Sequence, residues 1–262
     1  MLDFRNHKLG ALRPHPAGRS KRVAFAKLFG TDLPAPAPAM DWTEGVTRRP
    51  MFGNNKVGDC TCAAVANILV GALKAAYEKD WAPSTDQVLA LYSAITGYDP
   101  NAPKDANGEN PTDKGAIIED VLAYVMKHGA FGHQFVGTAA IDVGDFTNIK
   151  RAIDWFGVVD LGVGLPLAWQ ETNKWTLDGY NPQDPEWKPY SWGGHCICSE
   201  KYDADYIYVW TWGELVRVSW DAFRLYFDTA DAVIAASWIK AGISPAHISL
   251  VTLEWSMAAL KS

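Results

Sequence analysis

The residues best suited to chemistry in this sequence are a cysteine and a histidine, Cys60 and His195. Cys60 stands at the start of a long apolar segment with helical spacing, which predicts that it lies in the first turn of a helix. At that position the unpaired backbone N–H groups and the positive end of the helix dipole favour the thiolate. Because the thiolate is the nucleophilic form of cysteine, Cys60 is the candidate nucleophile.

The helix that positions Cys60 is indicated by apolar residues at three- and four-residue intervals, namely Val65, Ile68, Leu69, Ala72, Leu73 and Ala76. Asp59 is the natural N-cap of this helix. Cys62 then lies two positions further, turned by roughly 200° from Cys60. We therefore expect the two thiols to belong to different environments.

The segment that carries His195 has a β-rich composition and is followed by a turn and a second strand, which predicts a β-hairpin. Alternation along a strand gives His195 and Ile197 one face and gives Cys196 and Cys198 the other. His195 can therefore meet Cys60 without its cysteine neighbours.

Three motifs in one order resemble those of papain-like cysteine peptidases. They resemble more closely a group of bacterial and phage proteins that carry Asn-(Asp/Asn)-x-x-Gly-Asp-Cys, Gly-Gly-His and Thr-Trp-Gly. In this sequence the motifs are Asn54 to Cys60, Gly193 to His195 and Thr211 to Gly213. Cys60 and His195 are 135 positions apart, inside the papain-type interval of roughly 130 to 150 residues. The resemblance covers about residues 40 to 240.

The resemblance implies an α+β, papain-like, two-lobed fold with Cys60 as nucleophile and His195 as base. Asn54 would take the place of the side-chain amide that binds the oxyanion, together with the backbone N–H of Cys60. The implied reaction is attack of Cys60 on an amide or ester carbonyl of a peptide or peptide-like substrate. It requires no metal and no cofactor. Further residues expected at the substrate cleft are Asp59, Gly194, Trp210 and Trp212.

One position departs from the family pattern. Papain-like enzymes orient the histidine with an asparagine two residues before the shielding tryptophan, and that position here is Trp210. An indole can only donate a hydrogen bond, whereas the imidazole needs an acceptor. Thr211 is expected on the opposite strand face, so the sequence predicts a Cys–His dyad whose orienting group is not identified.

The cysteines admit other interpretations. Free cysteine is often buried as a small hydrophobe, and we expect Cys62, Cys196 and Cys198 to lie in the core. A four-thiolate metal site is disfavoured, because the helical pair diverges and the usual two-residue spacer between ligands is missing. Four cysteines without a recognisable signal peptide also fit a reducing compartment better than a disulfide framework. We therefore expect a cytoplasmic protein, or one incorporated in a phage particle.

The charge is distributed unevenly along the chain. Residues 1–40 carry a net charge of +5 within a total of −6, and they end in a Pro-Ala stretch expected to act as a stiff spacer. We interpret 1–40 as a basic arm that is a disordered tail, folds back on its own acidic body or docks on a protein partner. Its apolar anchors would be Phe4, Leu9, Leu12, Phe25, Leu28 and Phe29. The arm is too short for the usual papain-type inhibitory propeptide, and nucleic acid is disfavoured as a partner by the acidic body.

The body, residues 41–262, is expected to comprise a helical lobe (41–132), a β-rich lobe (133–240) and a C-terminal helix (245–260). Predicted helices are 60–79, 84–96, 115–128 and 146–156, and predicted strands are 134–141, 158–167, 194–200, 205–212, 214–219 and 230–237. A Trp-rich stretch, 173–192, is expected to form a long loop that could line the site. No apolar run looks long enough to cross a membrane.

Two classes of function fit these observations. The first is a cysteine hydrolase, either a peptidase or an amidase. The second is a papain-fold protein with weak or lost chemistry that serves as a structural or interaction component, for instance in a phage particle.

Overall fold

A mixed arrangement of helices and one large sheet positions the candidate residues in the computed structural model. The structure describes residues 3–13, 24, 25, 27, 34–47 and 49–252. The helices are α1 (Cys60–Tyr77), α2 (Thr85–Thr96), α3 (Ile118–His128), α4 (Phe146–Phe156) and α5 (Trp220–Tyr226). The strands are β1 (Met40–Asp41), β2 (Phe135–Ala140), β3 (Val159–Leu165), β4 (Lys174–Trp175), β5 (Gly193–Tyr202), β6 (Tyr206–Thr211), β7 (Glu214–Ser219) and β8 (Phe227–Ala235).

The sheet has the strand order β2-β8-β3-β5-β6-β7-β4, and β1 pairs with the end of β5. All pairings are antiparallel except that of β4 with β7. The α+β class expected from the sequence is confirmed. The predicted helix bounds hold within three residues, and five of the six predicted strands hold within two; β8 begins three residues earlier than expected.

Three short elements were not expected from the sequence, namely helix α5 and strands β1 and β4. Of the helix predicted at 245–260, residues 245–249 are not helical, 250–252 are helical, and the rest lies outside the described residues. The division into an arm and two lobes stays a prediction.

Helix α1 is buried along almost its whole surface and packs against β5. At Gly71 the helix approaches the sheet so closely that a Cβ atom would overlap the carboxylate of Glu200. By length and mean hydropathy this helix could cross a membrane, contrary to the expectation that no segment could. However, 83% of that window is buried inside the protein, as in a core helix.

The arm folds back on the body wherever the structure describes it. Phe4 and Phe25 are buried in the core, and Phe25 packs against Trp155 and Phe156 of α4. The Pro-Ala stretch contacts the body too, since the Tyr202 hydroxyl donates a hydrogen bond to the carbonyl of Ala37 at 2.8 Å. The expectation of a free-standing spacer is therefore wrong for residues 34–39. Leu28 and Phe29 lie outside the described residues.

Candidate active site

Cys60 is the first residue of α1, as the sequence predicts, and its side chain is fully buried. Asp59 occupies the N-cap position, but its carboxylate makes no capping hydrogen bond. Both carboxylate oxygens are buried without a partner, and burial raises the pKa of Asp59 to about 8, with the nearby Asp113 adding to the effect. Asp59 therefore begins the helix without capping it.

His195 lies in β5 and is also fully buried. Its Nε2 atom is 2.8 Å from the hydroxyl oxygen of Thr211, and its ring stacks on Trp212 with 4.4 Å between ring centroids and 19° between planes. The other ring nitrogen, Nδ1, is buried and has no hydrogen-bond partner within the part of the chain that the structure describes. Burial lowers the pKa of His195 to about 3, and a smaller contribution comes from His7.

The contact between Thr211 and His195 was not expected from the sequence, and the expectation that Thr211 faces away from His195 is wrong. The ladder between β5 and β6 pairs Cys198 with Trp210. Trp210 therefore belongs to the face of Cys198, and Thr211 belongs to the face of Ile197 and His195. The Trp210 ring packs instead under the guanidinium of Arg49, at 4.7 Å.

The fold brings Cys60 next to the strand that carries His195. Burial raises the pKa of the Cys60 thiol to about 12. The nearby backbone of Cys196, Gly10 and Thr61 acts in the opposite direction, but more weakly. The favourable position at the helix start thus does not produce a thiolate in this arrangement, and the site holds a neutral thiol and a neutral imidazole.

Residues 4–12 of the arm, which we call the cleft segment, explain this burial. Its middle part crosses the site in extended form and bonds to both walls through the main chain. On one wall, Lys8 N–H donates to the Asn55 carbonyl at 3.3 Å, and the Ala116 N–H donates to the Gly10 carbonyl at 2.8 Å. On the other wall, Ala11 N–H donates to the Gly194 carbonyl at 3.1 Å.

Glycines allow the cleft segment to lie close to both walls of the site. A Cβ atom on Gly10 would overlap the backbone carbonyl of Gly58, two residues before Cys60. A Cβ on Gly115 would overlap Gly10, and a Cβ on Gly194 would overlap the Ala11 carbonyl. The predicted cleft residue Gly194 thus contacts a bound polypeptide.

Side chains also hold the cleft segment in place. Phe4 and His7 pack on Trp212, with ring centroids 5.0 and 5.2 Å away, so Trp212 lies between the segment and His195. The ammonium of Lys8 pairs with Glu109 and lies 3.8 Å from Asp113. The cleft segment is therefore held at the site by the positive charge of Lys8 and by aromatic contacts with Trp212.

Asn54 is buried in the loop that precedes Cys60. Its side-chain oxygen Oδ1 has no hydrogen-bond partner among the described residues, and its backbone N–H donates to the Met51 carbonyl at 3.0 Å. Its role as an oxyanion donor stays a prediction.

The remaining cysteines are buried and free, as expected for core residues. Cys196 faces away from His195, and its thiol donates to Asp160 Oδ1 at 3.4 Å. Asp160 is paired across the sheet with Asp231. Burial raises the pKa of Asp160 from 3.8 to about 7, and Asp231 adds to this shift.

This carboxyl makes stability depend on pH. The folded chain keeps a proton on Asp160 that the unfolded chain releases above about pH 4, so stability should fall as the pH rises from about 4 to about 7. In Asp160→Asn we expect a shallower fall and a more stable protein than the parent above pH 7. Urea unfolding of both proteins from about pH 4 to above pH 7 measures this difference in stability. Asp59 and Glu200 also have raised pKa values, so part of the slope should remain. An unchanged slope in Asp160→Asn would contradict the assignment.

Sequence reasoning missed two features of this site, the Thr211 contact and the cleft segment. The signals for the segment in the sequence were the opposite charge of arm and body and the apolar residues Phe4, Leu9 and Leu12.

No family model matches this sequence, and no curated protein matches it either. Among solved structures, the chain is similar to xylellain, a cysteine protease from Xylella fastidiosa, with 12% identity and a TM-score of 0.61 over 87% of this chain and 96% of that chain. It is also similar to proCathepsin B from Trypanosoma congolense, with 11% identity and a TM-score of 0.55 over 87% of each chain. Digestive procathepsin L 3 of Tenebrio molitor larval midgut gives 12% identity and a TM-score of 0.53, over 88% of this chain and 77% of that one. The chain therefore has the fold of the papain-like cysteine proteases.

Proposed function

We propose that this protein is a cysteine hydrolase, a peptidase or amidase, in which Cys60 is the nucleophile and His195 is the base. The observation that carries the proposal is that the groove beside these two residues already holds an extended polypeptide. The cleft segment bonds to Asn55, Ala116 and Gly194 through its main chain. Because such bonds recognise the amide backbone rather than particular side chains, the groove is suited to peptide substrates.

In the proposed reaction, His195 takes the proton of Cys60 and the thiolate attacks a substrate carbonyl carbon. The protonated His195 then gives its proton to the leaving group, and water releases the acyl-enzyme. Asn54 and the backbone N–H of Cys60 stabilise the oxyanion.

The cleft segment keeps this site latent. It excludes water from Cys60 and His195, and exclusion of water favours the neutral forms of both side chains. The Gly10 carbonyl oxygen of the segment accepts a hydrogen bond from the Ala116 N–H at 2.8 Å, which holds the segment in the groove.

The test is hydrolysis of a mixture of unstructured peptides by a Gly10→Val chain, in which the added side chain expels the segment from the groove. We expect cleavage, and we expect Cys60→Ala in the same chain to lower the rate by about 10⁴-fold or more. Cys62→Ala is the matched control and should retain the activity, since Cys62 is a buried core residue. Cleavage that survives Cys60→Ala would contradict the assigned nucleophile.

A second candidate is a papain-fold structural or interaction protein, in keeping with the proposed relation to bacterial and phage proteins. It is favoured by the missing asparagine at Trp210 and by His195 Nδ1, which makes no hydrogen bond to another described residue. On this alternative the arm never leaves the groove, or leaves it to dock on a protein partner. A folded Gly10→Val chain with an unreactive Cys60 would favour this candidate.

A further inference from the structure

We propose that Thr211 is the positioning residue of His195, fixing which ring nitrogen faces the nucleophile. The inference rests on the proposed function, because it concerns the base of the same reaction. Its evidence is separate from the fold comparison, since it comes from one side-chain contact and the strand register that produces it.

Strand pairing and a tight turn fix the position of Thr211 in the backbone. It is the last residue of β6, and it pairs with Glu214 of β7 across a tight turn. Within that turn Trp212 adopts a left-handed conformation, with φ 47°. The turn places the Trp212 ring flat against His195, while the preceding Thr211 side chain reaches the edge of the same imidazole. Stacking on Trp212 therefore fixes the plane of the imidazole ring, and the contact with Thr211 fixes its rotation within that plane.

The hydroxyl of Thr211 can do what the indole of Trp210 cannot. A neutral imidazole has one N–H donor and one nitrogen lone pair. If Nε2 carries the proton and donates it to the Thr211 oxygen, then Nδ1 keeps its lone pair. Nδ1 is buried and makes no hydrogen bond to any of the described residues, so none of them occupies this lone pair.

The same hydroxyl also suits the charged form of the base. After the thiol proton moves to Nδ1, both ring nitrogens are donors, and the Thr211 oxygen still accepts from Nε2 without turning. Since a hydroxyl carries no charge, it orients the ring without the added attraction that a carboxylate would give to the imidazolium. We therefore expect that removing the Thr211 hydroxyl slows the reaction of Cys60 by about as much as the loss of one hydrogen bond.

The matched pair of variants is Thr211→Val and Thr211→Ser. Valine keeps the β-branched shape but cannot accept a hydrogen bond, whereas serine keeps the hydroxyl. Two readouts apply: the tautomer of His195, by ¹⁵N-histidine NMR of the full chain, and the pH profile of Cys60 alkylation by iodoacetamide in the Gly10→Val chain.

We expect the full chain to hold the proton on Nε2, and Thr211→Val to lose this preference while Thr211→Ser keeps it. In the Gly10→Val chain, Thr211→Val should slow alkylation at neutral pH by about tenfold, and Thr211→Ser should stay close to the parent. A proton on Nδ1 in the full chain, or a tautomer unchanged in Thr211→Val, would overturn the proposal. The NMR result is independent of activity. If Cys60 proves unreactive in the parent while the tautomer still depends on Thr211, the hydrolase function fails and the positioning of His195 by Thr211 stands.

Discussion

Replacing Gly10 by valine should raise the rate of Cys60 alkylation by about 100-fold over the unmodified chain. The new side chain would overlap the Gly58 carbonyl, and Gly115 also approaches Gly10 too closely for a Cβ atom between them. Overpacking of this kind costs a few kcal/mol, and about 3 kcal/mol corresponds to a roughly 100-fold shift from the closed to the open groove.

The same change should alter the pH dependence of labelling. Burial is the main cause that raises the pKa of Cys60 to about 12 and lowers that of His195 to about 3. Once water enters the groove, the thiol pKa should fall and the imidazole pKa should rise. Labelling should therefore begin at lower pH in Gly10→Val than in the parent.

Peptide mass spectrometry after timed iodoacetamide exposure measures the effect at each cysteine separately. Gly144→Val is the matched control, because Gly144 is exposed and remote in sequence from the groove. Cys62, Cys196 and Cys198 serve as internal references, since they should stay protected in a folded chain. An unchanged Cys60 rate in folded Gly10→Val would show that the cleft segment does not control access to the thiol.

Replacing Arg49 by methionine should lower the free energy of unfolding by about 3 to 5 kcal/mol. Arg49 pairs with Glu200, and both side chains are almost completely buried. Arg49 also donates to the Asn67 carbonyl of α1 at 2.6 Å and lies over the Trp210 ring. The variant would leave the Glu200 carboxylate in the core without its counter-ion.

The loss should depend on pH. Burial raises the pKa of Glu200 from 4.5 to about 7, while Arg49 opposes that shift. Without Arg49 the carboxyl should stay protonated to higher pH in the folded chain, so the variant should continue to lose stability above about pH 7, where the contribution of Glu200 in the parent has levelled off. The destabilisation should therefore be greater at about pH 8 than at about pH 5, as measured by urea unfolding.

Two controls separate this buried pair from ordinary ion pairs. Arg49→Met combined with Glu200→Leu should recover much of the loss, because no unpaired charge remains. Lys201→Ala breaks the partly exposed pair with Asp41 and should cost less than about 1 kcal/mol. Equal losses in Arg49→Met and Lys201→Ala would contradict this account of the core.

Local patterns in the sequence predict much of this site. The apolar spacing after Asp59 places Cys60 at a helix start, and strand alternation separates His195 from Cys196. Both predictions depend only on the geometry of one element, and both agree with the structure. The α+β class also follows from such patterns together with the family motifs.

The register between strands β5 and β6 could not be predicted in the same way. Alternation tells which residues of β6 share a face, but only the pairing of Cys198 with Trp210 decides which face meets His195. A register shifted by one residue would have directed Trp210 at the imidazole instead. The expectation for Thr211 was wrong for this reason.

The path of the arm could not be predicted from the sequence either. Its basic charge predicts attraction to the acidic body but gives no route along the surface. The route depends on close approaches between distant residues, such as Gly10 with Gly58 and Ala11 with Gly194. These small residues carry no signal in composition or periodicity.

The central claim is that Cys60 and His195 form a working pair once the cleft segment leaves. Its most direct test is the pH profile of Cys60 alkylation in Gly10→Val and in Gly10→Val with His195→Ala. We predict fast labelling near neutral pH that falls by at least about tenfold when His195 is removed. Labelling no faster than that of a free thiol, and indifferent to His195, would contradict the claim.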